Sequence, residues 1–447
     1  METGPSTRKE ESRLKVTIRA LRHRNFRLFF TGQSISLIGT WMQRIAVGWL
    51  VYRLTHSAFL LGVVGFSSQI PTMVLAPFGG VLADRWNKHR LLILTQTLAL
   101  VQAFILAALV LTNTVEVWHV IVLSVLLGVI NAFDMPIRQS FLVQMIDDRN
   151  DLGNAIALNS SMVNGARLLG PSTAGLLIAG VGEGICFLLN GISYVAVIVS
   201  LLVMRIEARE VKRRELKVWH ELKEGIKYAS GFVPIRAILL MLALVSLVGM
   251  PYTVLMPIFA KDILQGGPDT LGFLMGAAGV GALVGALYLA SRRTVLGLGR
   301  MIPISTTLFG FGLMAFSFSN VMLLSLTLML ITGFGQMILM ATSNTLLQTL
   351  VDDDKRGRIM SLYTMAFMGM TPLGSLVAGS LASRIGAQWT VFLGGAVCIL
   401  GAGAFARRLP ALRKQMRPVY VSKGIIPEIA LGLQSATETT MPGNNGK

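Results

Sequence analysis

Four charged residues stand inside long apolar runs of the chain: Arg44, Asp134, Arg138 and Arg167. A charge taken out of water is costly unless a partner offsets it, so a charge kept in such a run is a candidate for a chemical task. Asp134 and Arg138 are four residues apart, on one face of a helix, with Pro136 between them. Proline removes a backbone hydrogen bond and can open a helix to water or ligand. Burial raises a carboxylic acid's proton affinity and a nearby cation lowers it, so Asp134 has the chemistry of a group that binds and releases a proton. A static Asp134 to Arg138 pair that stiffens the kinked helix is the other reading of the same spacing. Arg44 and Arg167 supply positive potential for a neutral or anionic small molecule. Gln336 and Asn344, in the chargeless stretch 301–351, add hydrogen bonds. Arg167 alternatively ties its helix to a carbonyl or to Asp134.

Other chemistries find no residues. The five histidines, at 23, 56, 89, 119 and 220, fall in loops or at the ends of apolar runs, so no metal site and no cofactor is expected. No G-x-x-x-x-G-K-[ST] loop is present, which removes the usual ATP cradle. Cys186 and Cys398 lie in apolar stretches and form no disulfide framework. Asp147, Asp148 and the run Asp352 to Asp354 read as solvated helix starts. No enzyme follows from these residues.

The elements that must position the four charges are long apolar helices. The 447 residues are 53% hydrophobic and 14% charged, against about 25% charged in a soluble domain. Twelve runs near the spanning length are found, at 26–52, 57–83, 91–112, 117–143, 152–180, 184–204, 235–260, 270–291, 300–318, 321–350, 358–383 and 387–406. The first lacks a small-residue cleavage site and reads as an uncleaved anchor. Of the 40 Lys and Arg, 33 fall in alternate loops that include both termini. By the positive-inside rule both termini are expected in the cytoplasm. That orientation signal accounts for the net charge of +18 without a nucleic-acid partner.

Sliding the chain by 204 residues superposes Gln144, Asp148, Gly153, Leu158, Gly165, Leu169, Gly170, Ala174, Gly175 and Leu177 on Gln348, Asp352, Gly357, Leu362, Gly369, Leu373, Gly374, Ala378, Gly379 and Leu381. A duplicated six-helix unit explains this. The organisation is then a basic N-terminus (1–25), a first half (26–204), a linker (205–234), a second half (235–406) and a tail (407–447). In the linker Leu216, Trp219, Leu222 and Ile226 recur at helical spacing, as in a helix lying on the membrane or a solvated connector. The tail shows no apolar period and is expected to be disordered. Met322, Met329, Met337 and Met340 are expected to pack or face lipid.

Between the second and third runs, Gly80, Leu82, Ala83, Asp84, Arg85, Lys88 and Arg90 resemble the G-x-L-A-D-R-x-x-[KR]-x-[KR] signature of the major facilitator superfamily. In the fifth run Gly165, Arg167, Gly170, Pro171 and Gly175 resemble the glycine-proline motif of its antiporters, with Arg167 as a departure. Arg167, the stretch from Gln348 to Arg358 and the stretch from Trp219 to Tyr228 are similar to the enterobactin-exporter and macrolide-efflux branch, over residues 20–407. The resemblance implies an all-α protein with twelve membrane helices in two pseudo-repeat halves. It implies a monomeric exporter in the bacterial inner membrane that moves a small amphipathic or hydrophobic compound, such as a siderophore or drug, in exchange for protons. An importer or lipid flippase, and a non-transporting receptor or scaffold, are the alternatives. It further implies a latch in which Asp84 pairs with Arg138 and faces Gly357 and Arg358, holding the outward-facing state. Gly165, Gly170, Pro171 and Gly374 are expected at helix contacts.

Overall fold

The structure, a computed structural model, describes residues 18–205, 218–292, 294–352 and 354–426. The side chains at 76, 77, 79–85, 149 and 218–222 lie outside that description. With no water to satisfy backbone groups, long apolar runs must close their hydrogen bonds within themselves, which makes them helices. Six such helices form the first half: α1 (Arg24–Thr55), α2 (Ala58–Arg85), α3 (Lys88–Leu111), α4 (Val117–Phe141), α5 (Leu152–Val181) and α6 (Glu183–Val203). A linker helix, α7 (Val218–Gly231), precedes six more. These are α8 (Val233–Ile263), α9 (Pro268–Ala290), α10 (Leu298–Ser317), α11 (Met322–Leu350), α12 (Arg356–Ile385) and α13 (Ala387–Ser422). Helix α8 contains π-helical turns at Val245–Gly249 and Phe259–Ile263, and α12 one at Met365–Gly369.

Ten of the described helices are long and apolar enough to cross a membrane. The remaining two long ones, α1 and α5, are interrupted by Gln33, Gln43 and Arg44 and by Asn159, Asn164 and Arg167. The helices that fall short in apolar character are thus the two that carry the candidate arginines.

The offset of 204 residues carries Leu152–Val181 onto Arg356–Ile385. It also matches the turns: Gly182 and Gly386 both adopt positive φ, 83° and 86°, a conformation only glycine takes without strain. The halves meet where α2 lies on α12 and α5 on α9. Each crossing is built on a pair of glycines. A side-chain carbon at Gly175 would lie 2.8 Å from Gly272 Cα, and one at Gly379 would lie 2.7 Å from Gly62 Cα. Small residues let helix backbones approach where lipid provides no hydrophobic drive. Both crossings sit toward the end of the bundle opposite residue 24, here called the distal end. Toward the terminal end, the first turns of α12, Arg356–Thr364, pack on α7, α8 and α11 rather than on the first half. The bundle is closed at its distal end and parted at its terminal end.

Two expectations are corrected. The segment after residue 406 is not disordered: α13 continues to Ser422, with Leu412 and Met416 buried at 2% and 4% exposure. Leu409, Leu412, Met416 and Tyr420 form an apolar stripe at helical spacing that packs toward the start of α10. Residues 427–447 lie outside the described residues. Gly165 is not at a helix contact, since a side-chain carbon there would meet nothing within 4 Å. Gly170, Pro171 and Gly374 are buried, and side-chain carbons at Gly170 and Gly374 would meet Trp41 and the Leu247 carbonyl.

The linker helix does not stand free. Glu224 of α7 pairs with Arg358 of α12 at 2.9 Å, and the Tyr228 hydroxyl donates to Asp352 at 3.2 Å. The residues before α1 do the corresponding thing in the first half. His23 contacts Asp151 at 2.9 Å and Asp147 at 3.2 Å, and Arg22 pairs with Asp151 at 2.7 Å. Each half therefore ties the segment before its first helix to the loop between its fourth and fifth.

Candidate functional site

Helices α1 and α5 cross at Gly170, where a side-chain carbon would lie 2.4 Å from Trp41 Cβ. The missing side chain lets Trp41 lie on α5. Arg44 is one turn from Trp41 on α1, and Arg167 one turn from Gly170 on α5, so helical spacing brings both guanidinium groups to the same indole. The Arg44 guanidinium carbon is 4.7 Å from the Trp41 ring centroid and that of Arg167 is 5.9 Å. These are cation–π distances. Arg44 is exposed and Arg167 half-buried although both are mid-helix. Among the described residues neither has a carboxylate within ion-pair distance. Arg167 also lines a small cleft with Asn164, facing Gly279, Ala282, Leu283 and Ala286 of α9 in the other half. Among the described residues Arg167 is tied neither to Asp134 nor to a backbone carbonyl.

The remaining expected contributors are elsewhere. Gln336 is buried, and its Nε2 donates to the Met250 sulfur of α8 at 3.0 Å, so here it fastens two helices of the second half. Asn344 is half-buried further toward the terminal end of α11, where its Oδ1 accepts from Gln348 at 2.7 Å.

Asp134 lies inside the first half rather than between the halves. It is 4% exposed, and its Oδ1 accepts from the Thr95 hydroxyl at 2.8 Å and from Gln96 Nε2 at 2.7 Å. Its Oδ2 faces Arg138 at 3.6 Å. Both spacing-based readings, a proton site and a stiffening pair, place these two groups together.

Of the signature residues, the side chain of Asp84, and with it Gly80 and Arg85, lies outside the described residues. Lys88 and Arg90 start α3, where Asn87 Oδ1 accepts from the Arg90 backbone N–H at 3.1 Å. The two cations expected opposite Asp84 have other carboxylates in this state: Arg138 has Asp134, and Arg358 has Glu224.

Three features escaped the sequence reading. Asp151, fully buried, gathers His23, Arg19 and Arg22. Burial opposes its ionisation, but the His23 hydrogen bond and the two arginines prevail and hold its carboxyl below the usual range. At the distal end the Tyr52 hydroxyl donates to Asp262, joining α1 to α8. Within the first half Asn190 Nδ2 donates to Gln43 at 2.6 Å and Gln43 Nε2 to Gln102 at 3.0 Å, a buried amide chain linking α6, α1 and α3. Uncharged polar residues inside apolar runs were the available signal for that chain.

Comparison with known proteins agrees with this architecture. The chain is 27% identical over 374 residues to the staphyloferrin A transporter of Staphylococcus aureus (strain NCTC 8325 / PS 47), covering 83% of this chain and 93% of that protein. It is 27% identical over 380 residues to the multidrug efflux pump Tap of Mycolicibacterium fortuitum, covering 83% and 92%. Its fold matches a bacterial homolog of the human lysosomal transporter Spinster, inward-facing and unoccupied, with a TM-score of 0.72 at 11% identity over 88% of this chain and 98% of that one. The family model described as transmembrane secretion effector matches residues 16–434. A repeat of six helices, glycine-built crossings and a parted terminal end are thus the frame of a chain that belongs to the transmembrane secretion effector family of major facilitator transporters.

Proposed function

We propose that this protein is a monomeric secondary exporter of the bacterial inner membrane. It moves a small amphipathic or hydrophobic compound, of siderophore or drug type, out of the cell in exchange for protons. The observation that carries the reading is the pair of halves closed at one end and parted at the other, with Arg44, Trp41 and Arg167 at the divide. Alternating access needs this geometry and its reverse around one site. The relatives named above are a siderophore transporter and an efflux pump, which supports outward transport. The basic loops sit at the parted end, and the positive-inside rule makes that end cytoplasmic, with twelve crossings and both termini inside.

In this reading Arg44 and Arg167 meet the cargo, and Asn344 lies on its way from the cytoplasm. Asp134 carries the proton. The latch of Gly80, Asp84, Arg85, Lys88 and Arg90 with Arg138, Gly357 and Arg358 belongs to the opposite state, when the parted end closes. Its two cations then exchange Asp134 and Glu224 for Asp84. The test is an efflux panel in a pump-deficient strain. Expression should lower accumulation of a subset of compounds, and Asp84→Asn should remove that effect while the protein still inserts. A panel in which no compound changes, repeated as flux into proteoliposomes, would favour a receptor or scaffold instead.

A further inference from the structure

We infer that the site between the halves selects a small organic anion bearing carboxylate groups and rejects cationic compounds. The inference rests on the transport reading above and adds the charge class of the cargo. Two guanidinium groups share one indole, at 4.7 Å and 5.9 Å from its centroid, and no described carboxylate neutralises either. Stacking on an aromatic face leaves the N–H edges of a guanidinium free to bind in its plane. Those edges match a carboxylate in two parallel hydrogen bonds. Paired guanidinium groups repel one another in a medium less polar than water, and an anion between them relieves that repulsion.

Three described acids of the helices are committed elsewhere. Asp134 is held by Thr95, Gln96 and Arg138, Glu183 by Arg53 at 2.8 Å, and Asp262 by Tyr52. The wall that faces Arg167 from the other half is small and apolar, with Gly279, Ala282, Leu283 and Ala286, so it contributes no counter-charge. A cationic drug at this place meets two like charges and no acid. An anion entering from the parted end is also drawn by the basic loops around it.

The test compares three probes on the purified full-length protein by calorimetry: benzene-1,3,5-tricarboxylate, its neutral trimethyl ester, and ethidium. The tricarboxylate should bind at least about tenfold more tightly than either of the others, the scale of one lost charge-assisted hydrogen bond. Arg44→Gln and Arg167→Gln should each weaken it by about tenfold or more. Arg167→Lys, which keeps the charge and loses the fork, should fall between. Equal binding of the ester, tighter binding of ethidium, or no binding of any probe overturns the inference, and the wild-type comparison decides even if a variant does not fold. Counterflow in proteoliposomes separates the two claims. Ethidium carried and tricarboxylate not carried removes the anion class while transport stands. Tricarboxylate bound by the arginines but never carried removes the transport reading while the anion site stands.

Discussion

Tyr52 and Asp262, 210 residues apart, are joined by a hydrogen bond from the tyrosine hydroxyl to the carboxylate across the two halves. Tyr52 is buried at the distal end of α1, and Asp262 lies in the π-helical turn that ends α8. Lys261 stands 6.0 Å from the Tyr52 ring centroid, on the same side of the contact. Glycine pairs bring the helices together below this point, and van der Waals packing there is indifferent to charge. The Tyr52 to Asp262 bond adds a directional contact that must break whenever the distal end opens.

Tyr52→Phe keeps the ring and removes the donor. A hydrogen bond to a charged group contributes about 1.5–3 kcal/mol, so the closed fraction at the distal end should fall by about tenfold or more relative to the open one. Spin labels at Asn113 and Asn320, both exposed on distal loops of opposite halves, should report a longer distance population in the variant. An unchanged distance distribution would remove this bond from the gate.

Asp134→Asn keeps an oxygen for Thr95 and Gln96 and removes the carboxylic acid. Cargo-driven proton movement in liposomes should be abolished, and cargo exchange with no proton gradient should persist. Proton coupling retained in the variant would reduce the Asp134 to Arg138 pair to a stiffening role.

Asp151 links stability to pH. Its folded-state carboxyl is held below the unfolded value of about 3.9 by His23, Arg19 and Arg22. A depressed acid stabilises the fold above its unfolded pKa, and that contribution is lost as pH falls through the folded value. Asp151→Asn should therefore lower the midpoint of thermal unfolding at pH 7, and the gap from wild type should narrow as the pH is taken below about 4. A gap that stays constant with pH would mean that the ion cluster contributes nothing through ionisation.

Leu412→Ala tests the extension of α13. Truncating a buried leucine costs about 2–5 kcal/mol, so the unfolding midpoint in detergent should drop by several degrees. Lys414→Ala, on the exposed side of the same turns, should leave it in place. Equal midpoints for both would indicate that the extension does not pack on α10.

Legibility in the sequence follows how local each feature is. A run of apolar residues closes its hydrogen bonds within itself, so nearly all the helices could be read from composition. The 204-residue offset is preserved in the helix ends and in Gly182 and Gly386, because both copies use the same turn chemistry. The stripe of Leu409, Leu412, Met416 and Tyr420 was readable too, but six cations between Arg407 and Lys423 and two prolines obscured it. Basic residues flank membrane spans in general, and a helix can continue past such a flank.

The sequence by itself determined that Arg44, Asp134, Arg138 and Arg167 sit in apolar helices, and that Asp134 and Arg138 share a face, since four residues is one turn. Only the tertiary structure decided whom they meet. Arg44 and Arg167 come to one indole because α1 and α5 cross at a glycine, Asp134 is enclosed because α3 supplies Thr95 and Gln96, and Tyr52 finds Asp262 because two glycine pairs close the distal end. These partners are separated along the chain, so no spacing encodes them. Their meeting depends on how closely helix backbones approach, which is a property of the packed bundle.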